Sequence, residues 1–79
     1  MSDSRELEQE QSKMRILKAI VDLTAAILRQ GNLTIPEAIE LIKATKKGVI
    51  HLFPDKEDTY DLIYKPRFER IIQERLEVN

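Results

Sequence analysis

Two apolar stripes along residues 14–28 constrain the fold of this chain more than any other feature of its sequence. At about 100° per residue, the apolar side chains of this segment fall on neighbouring faces of a helix. The first stripe is Ile16, Ile20, Leu23 and Ile27, and the second is Met14, Leu17, Val21 and Leu28. Together they cover roughly half of the circumference, which is more than a helix needs to meet a single core. The pattern predicts a helix with two apolar neighbours, from this chain or from another copy.

Few residues of the chain are expected to interrupt a helix, because it contains only two glycines and three prolines. Gly31 fits a left-handed helix stop, so the first helix is expected from about residue 4 to about residue 30. Thr34 and Glu37 fit a capping box, and Pro36 is tolerated in the first turn of a helix. A second helix is therefore predicted to begin at this point.

The length of the second helix is the main structural ambiguity. Val49, Leu52 and Phe53 continue the phase of its apolar face, which favours one helix. Lys46 would lie in the middle of that face, and Gly48 costs about 1 kcal/mol of helix propensity relative to alanine. We expect a break near residues 43–46 and two short helices.

Pro54 ends the preceding element, because the residue before a proline disfavours the helical conformation. Asp55 is a suitable cap for the next helix. The side chains expected to face inward from this helix are Tyr60, Ile63, Tyr64, Phe68 and Ile71. At Pro66 the chain is predicted either to kink or to turn.

These patterns predict an all-α fold, a small bundle of three to five helices with a long first helix and a candidate helix-turn-helix in the middle. With 79 residues the chain has room for one core. Residues 1–79 are therefore expected to form one domain, in which residues 1–12 are a polar N-terminal extension.

The residue inventory disfavours an enzyme. His51 is the only histidine, and the serines are confined to residues 2–12, so no base-activated nucleophile can be assembled. We expect no catalytic residue, no cofactor, no metal and no small-molecule substrate. The acidic run of residues 55–61 lacks the glycine and the spacing of a calcium loop, and its carboxylates suit a helix N-terminus.

The absence of cysteine is typical of a reducing compartment, and the acidic N-terminus does not resemble a secretory signal. We therefore expect a cytoplasmic protein. The longest unbroken apolar run is only Ala25 to Leu28, whereas a membrane-crossing helix needs about 20 apolar residues. No membrane partner is expected.

A basic cluster in the middle of the chain suggests a nucleic-acid interface. With a turn near residue 43 and a new helix near Thr45, the segment 34–53 would be a helix-turn-helix, and the start of its second helix would present donors to phosphates and bases. The candidate DNA-contacting residues are Thr45, Lys46, Lys47, His51 and Lys56. The alternative interpretation is a solvated lysine face.

The segment from Thr34 to Asp58, TIPEAIELIKATKKGVIHLFPDKED, resembles the helix-turn-helix of the tetracycline-repressor family of bacterial regulators. The best-matching positions are Thr34, Glu37, Glu40, Thr45, Lys46, His51, Phe53, Pro54, Lys56 and Glu57. The resemblance implies that Thr45, Lys46 and His51 contact DNA from a recognition helix and that Lys56 approaches the backbone. The turn glycine of the family is Lys43 here.

The long first helix suggests a second kind of function. Leu7, Met14, Val21 and Leu28 recur every seven residues, as along a coiled-coil seam. Leu7, Met14, Leu17, Val21 and Leu28 are therefore the candidate interface with a second copy, giving a homodimer, or with partner helices. The function predicted first is a non-enzymatic regulatory module that binds DNA. The alternative is a dimerising protein-interaction or structural protein.

Overall fold

The computed structural model describes residues 3–77 and contains only helices and short connections in that range. The first two helices are α1 (Asp3–Gln30) and α2 (Ile35–Leu52). The third, α3, is a continuous helix made of Glu57–Thr59, a π-helical stretch Tyr60–Tyr64, and Lys65–Glu77, and the 3₁₀ turn Pro54–Lys56 precedes it. The expectation of an all-α fold with a long first helix is confirmed.

The helix boundaries between α1 and α2 follow the predicted local chemistry. Gly31 adopts a φ of 74°, the left-handed conformation that ends α1. The Thr34 hydroxyl accepts the Glu37 amide at 3.2 Å, and a Glu37 carboxylate oxygen accepts the Thr34 amide at 2.8 Å. The Thr34 amide that donates to the Glu37 carboxylate lowers the pKa of that group, and the two hydrogen bonds satisfy two amides at the helix start that have no partner within the helix.

The break predicted near residues 43–46 is wrong, because α2 continues without interruption to Leu52. The residues that α2 buries are Ala38, Thr45 and Val49. This face is rotated away from Lys46, which lies at its edge and reaches Asp61 of α3, with 3.0 Å between Nζ and Oδ1. The objection to one long helix is thereby removed, since the lysine charge never enters the core.

The entry into α3 differs from the prediction. Asp55 lies within the 3₁₀ turn and makes no capping hydrogen bond. Its carboxylate lies 3.7 Å from Lys13 of α1 and 3.8 Å from Lys56. Asp55 therefore joins the α2–α3 connection to α1 instead of starting a helix.

The chain passes Pro66 as a helix, without a turn. A proline inside a helix lacks the amide donor, and its ring crowds the carbonyl four residues before it. The Lys65 amide, just before the proline, donates to the Tyr60 carbonyl five residues back, as in a π-helix. This wider turn keeps Tyr60, Tyr64 and Phe68 on the core side, while Ile63, which was predicted to face inward, is exposed.

The core lies where one stripe of α1 meets α2 and α3. Its aromatic centre is Tyr60, with ring centroids 6.1 Å from Phe68 and 6.5 Å from Tyr64. The buried apolar residues are Leu17, Val21, Leu28, Ala38, Val49, Phe53, Tyr60, Tyr64, Phe68 and Ile71. Each helix contributes to a single cluster, so the three helices stabilise one another.

The bundle is elongated, with principal extents of 57, 19 and 17 Å. Its radius of gyration is 14.6 Å, whereas a compact domain of this length has a value of about 12 Å. In residues 3–77, no helix is long and apolar enough to cross a membrane.

The contribution of the capping box to stability can be measured by replacing Thr34. Replacing Thr34 with alanine removes the hydroxyl that accepts the Glu37 amide, and we expect Thr34→Ala to lower the free energy of unfolding by about 1 kcal/mol. Urea denaturation followed by circular dichroism measures this change. Ser12→Ala, an exposed change on α1, is the control and should alter stability by less than about 0.5 kcal/mol. Equal stability of the two variants would contradict the capping role.

The buried threonines of α1 and α2 give a second test. Thr24 Oγ lies 3.2 Å from Thr45 Oγ and 2.9 Å from the Ile20 carbonyl of its own helix. The Thr45 hydroxyl donates to the Leu41 carbonyl, so the Thr24 hydroxyl shares its single proton between the Ile20 carbonyl and Thr45 Oγ. Since removing one partner isolates the other, we expect Thr24→Val and Thr45→Val each to cost about 1 kcal/mol. The double variant should cost less than the sum of the two, as measured by urea denaturation. Strict additivity would show that the hydroxyls do not interact.

Candidate functional site

Thr45, the first of the predicted DNA-contacting residues, faces the interior. Its side chain is buried against α1, and its hydroxyl donates to the Leu41 carbonyl at 2.8 Å. Because α2 is continuous, no helix begins at this residue and no turn precedes it. The segment lacks the geometry in which Thr45 would start a recognition helix.

Two of the predicted lysines form ion pairs with acidic residues. Lys46 pairs with Asp61, and the hydrogen bond to that carboxylate raises the pKa of the ammonium group. Lys56 is hydrogen-bonded to Glu10 of α1, and its side chain is largely buried. Both lysines are therefore paired within the chain with acids from other helices.

Lys47 and His51 are exposed on α2. Together with Lys43 they are spaced four residues apart, so they lie along one face of the helix. Lys43 is also 3.8 Å from Glu40, one turn earlier. Of the five predicted residues, only Lys47 and His51 are exposed, in a row with Lys43 along α2, and the exposed Lys65 of α3 lines one depression together with Lys43 and Lys46.

The predicted interface residues of α1 are mostly internal. Leu17, Val21 and Leu28 are fully or almost fully buried in the core of the chain, and Met14 is half-buried. Leu7 alone among the five is exposed. The heptad through these residues is filled by α2 and α3 of the same chain, so a partner could not reach it without unfolding the core.

The other stripe of α1 is the candidate site. Ile16 is 49% exposed and Leu23 is 64% exposed, while Ile20 and Ile27 are half-buried. These four residues are spaced by four, three and four, which is the spacing of a coiled-coil seam. Ala19 and Ala26 border the stripe and are also exposed. We call this surface, residues 16, 19, 20, 23, 26 and 27, the outer stripe.

The charged residues of α1 avoid the outer stripe. Lys18 and Asp22 form an ion pair of 2.8 Å on a different face of the helix. From residue 16 to residue 27, no charged side chain occupies a position of the stripe. An exposed apolar surface without charges is the usual signature of an interface with another macromolecule.

The surface of the bundle has open depressions of about 400 Å³ beside the first turns of α1 and of about 340 Å³ beside Gly31 and Ile71. Their volumes lie in the range of about 300–1,000 Å³ typical of ligand pockets, but charged and polar residues form most of their lining, whereas ligand pockets are predominantly apolar. A depression of about 240 Å³ is lined by Ile42, Lys43, Lys46, Tyr60 and Lys65. Burial and the nearby Asp61 charge raise the pKa of Tyr60 to about 12, so its phenol stays protonated at neutral pH. In the part of the chain from residue 3 to residue 77, no three histidine or acidic side chains converge as metal ligands would.

The sequence contained the signal for the outer stripe. Both stripes were visible in the helical periodicity, but the seven-residue repeat of Leu7, Met14, Val21 and Leu28 favoured the wrong one as the exposed seam. The better indicator was the spacing of Ile16, Ile20, Leu23 and Ile27. These residues alternate by four and three, so apolar side chains occupy both core positions of a heptad, a and d. The choice depended on where α2 and α3 pack, which periodicity on one helix does not define.

Comparison with family models, with curated proteins and with solved structures found no match for this chain.

Proposed function

We propose that this chain is a non-catalytic, helical protein-interaction module whose working surface is the outer stripe of α1. The occupant is an amphipathic helix with an apolar seam. Recognition of this kind depends on apolar anchors at helical spacing, and the outer stripe offers four of them.

The exposure of Leu23 carries this proposal. It is a large apolar side chain in the middle of a long helix, 64% exposed, and it is flanked by other apolar residues of the same stripe. Fully burying a leucine contributes about 1.5–3 kcal/mol, so covering the exposed part of Leu23 alone would contribute about 1–2 kcal/mol. Isolated exposed leucines are common on protein surfaces. A row of apolar residues without charges, such as the one that contains Leu23, is not.

The packing of the other helices holds the outer stripe in a fixed position. The core residues Val21 and Leu28 fix the opposite side of α1 against α2 and α3. A helix held in this way loses little conformational freedom when it binds, and this lowers the entropic cost of association. The outer stripe therefore lies on a helix that is already formed before a partner binds.

A site-specific photo-crosslinker tests the proposal in the native host. We expect a photoreactive amino acid at position 23 to give covalent protein adducts several-fold more abundantly than the same amino acid at position 62. Leu62 is the matched control because it is a 78% exposed leucine on α3, outside the outer stripe. Adducts are measured by immunoblotting and mass spectrometry. Equal yields at the two positions would contradict the proposal.

DNA binding is the second candidate function, and the exposed row of Lys43, Lys47 and His51 favours it. Such a row can contact phosphates of one backbone strand, which gives affinity without sequence specificity. The pairing of Lys46 with Asp61 and of Lys56 with Glu10 reduces the charge available for this purpose. The structure therefore offers fewer phosphate contacts than the sequence suggested.

Fluorescence anisotropy with duplex DNA tests this second candidate. If the basic row binds DNA, affinity should fall with salt by a log-log slope of about −0.9 per phosphate contact. Lys43→Ala combined with Lys47→Ala should then abolish the binding, whereas Lys18→Ala, a change on α1 outside the row, should not. Absence of binding by the unaltered chain at low salt would eliminate this candidate.

A further inference from the structure

A row of small and apolar residues on α2 extends the outer stripe across the boundary between α1 and α2. Its members are Leu41, Ala44, Gly48 and Leu52. Leu41 is half-buried, and the other three are exposed. No charged residue occupies this row between residues 41 and 52.

The contacts of α2 locate this row beside α1. The Ile42 carbonyl approaches the Tyr60 hydroxyl and Lys46 pairs with Asp61, so this side of α2 faces α3. Thr45 meets Thr24 and therefore faces α1. At about 100° per residue, Gly48 and Ala44 lie on the far side of Thr45 from Ile42 and Lys46.

The same reasoning applies to α1. Thr24 marks the side that faces α2, while Arg29 and the half-buried Met14 lie on the side toward α3. Ile20 and Ile27 follow Thr24 on its other side, away from α3. The outer stripe and the α2 row therefore flank one groove. We call it the outer groove.

No contact or backbone conformation within one copy of the chain requires a glycine at position 48. Its φ is not positive, since Gly31 is the only described residue with that conformation. A Cβ built on Gly48 would meet no atom within 4 Å. Glycine is nevertheless among the least favourable residues inside a helix, second only to proline. A glycine on an exposed helix face is explained when another backbone approaches it closely.

We infer that the outer groove is the interface of a twofold dimer, in which α1 of a second copy of this chain packs antiparallel against α1 and beside Gly48. This inference rests on the proposed function and identifies the partner helix. A twofold interface brings each surface against its own copy. An apolar groove without charges can meet itself, because no like charges are brought together.

The exposed area supports a partner of this size. A compact protein of 9.2 kDa exposes about 4,900 Å². This chain exposes 5913 Å², an excess of about 1,000 Å². A standard protein interface removes about 800 Å² from each partner. The excess arises from the elongated shape of the bundle, and an interface of standard size in the outer groove would remove an area close to it.

The charge distribution along α1 determines the direction of pairing. The first turns of the helix hold Glu6 and Glu8 against a single base, Arg5, while Glu10 is paired with Lys56 of the same chain. Parallel helices would place these acidic segments of the two copies side by side, which costs energy. Antiparallel helices separate them, and the two apolar centres still meet.

Sedimentation equilibrium of the purified full-length chain tests the inference. We expect a species of twice 9.2 kDa. Leu23→Gln and Gly48→Gln should each weaken the dimer by roughly tenfold or more. Gly48→Gln removes a helix-disfavouring residue, so its monomer should be at least as helical and as heat-resistant as the unaltered chain. Loss of association therefore cannot be attributed to unfolding.

Two matched variants serve as controls. Leu62→Gln removes an exposed leucine outside the groove, and Lys47→Gln places the same side chain next to Gly48 but on another face of α2. Both should dimerise like the unaltered chain. A dimer that persists in Gly48→Gln and Leu23→Gln would overturn the inference.

A monomer at every concentration would also overturn it. If position 23 still crosslinked to a different protein in the host, the proposed function would stand and only self-association would be refuted. A monomer without such crosslinks would refute both.

The direction of pairing has its own measurement, since the chain contains no cysteine. A spin label on Ser12→Cys should report a separation of about 30 Å across an antiparallel dimer centred near residue 21, given a rise of 1.5 Å per residue. A separation short enough to place the two labels side by side would overturn the antiparallel arrangement.

Discussion

The packing of one α1 stripe around the aromatic side chains of α3 is the interaction on which the rest of the structure depends. Leu17, Val21 and Leu28 are buried in the same cluster as Tyr60 and Phe68. A chain of this size has few apolar residues for one core, so this contact fixes the rotation of α1 about its axis. Once that rotation is fixed, Ile16 and Leu23 of the outer stripe face away from the chain, while Ile20 and Ile27 lie half-buried at its edge.

Local chemistry in the sequence was sufficient to predict the ends of α1 and the start of α2. Gly31, Thr34 and Glu37 act within a few residues of one another, and the structure contains the stop and the capping box that they predict. The continuity of α2 was not predictable in this way. It depends on which face of α2 the other helices cover, and the covered face of Ala38, Thr45 and Val49 leaves Lys46 at its edge, where it pairs with Asp61, fifteen residues later in sequence.

The same limit applies to the candidate site. Both α1 stripes were evident from periodicity, and the need for a second apolar neighbour was inferred from their combined width. Which stripe would remain exposed depended on the placement of α3, and that depended in turn on a helix that continues through Pro66. The π-helical turn Tyr60–Tyr64 that makes this continuation possible has no sequence signature beyond the proline itself.

The ion pairs explain why a basic sequence cluster does not become a basic surface. Lys46 and Lys56 lie in the same stretch of sequence as Lys43 and Lys47, residues 43–56, but their partners come from other helices, Asp61 in α3 and Glu10 in α1. A lysine that pairs with an acid from another helix contributes little to the long-range field of the protein. With these two lysines paired between helices and with Ile16 and Leu23 of the outer stripe exposed, the bundle combines a reduced basic surface with an exposed apolar one, and this contrast supports the proposed interaction with another helix.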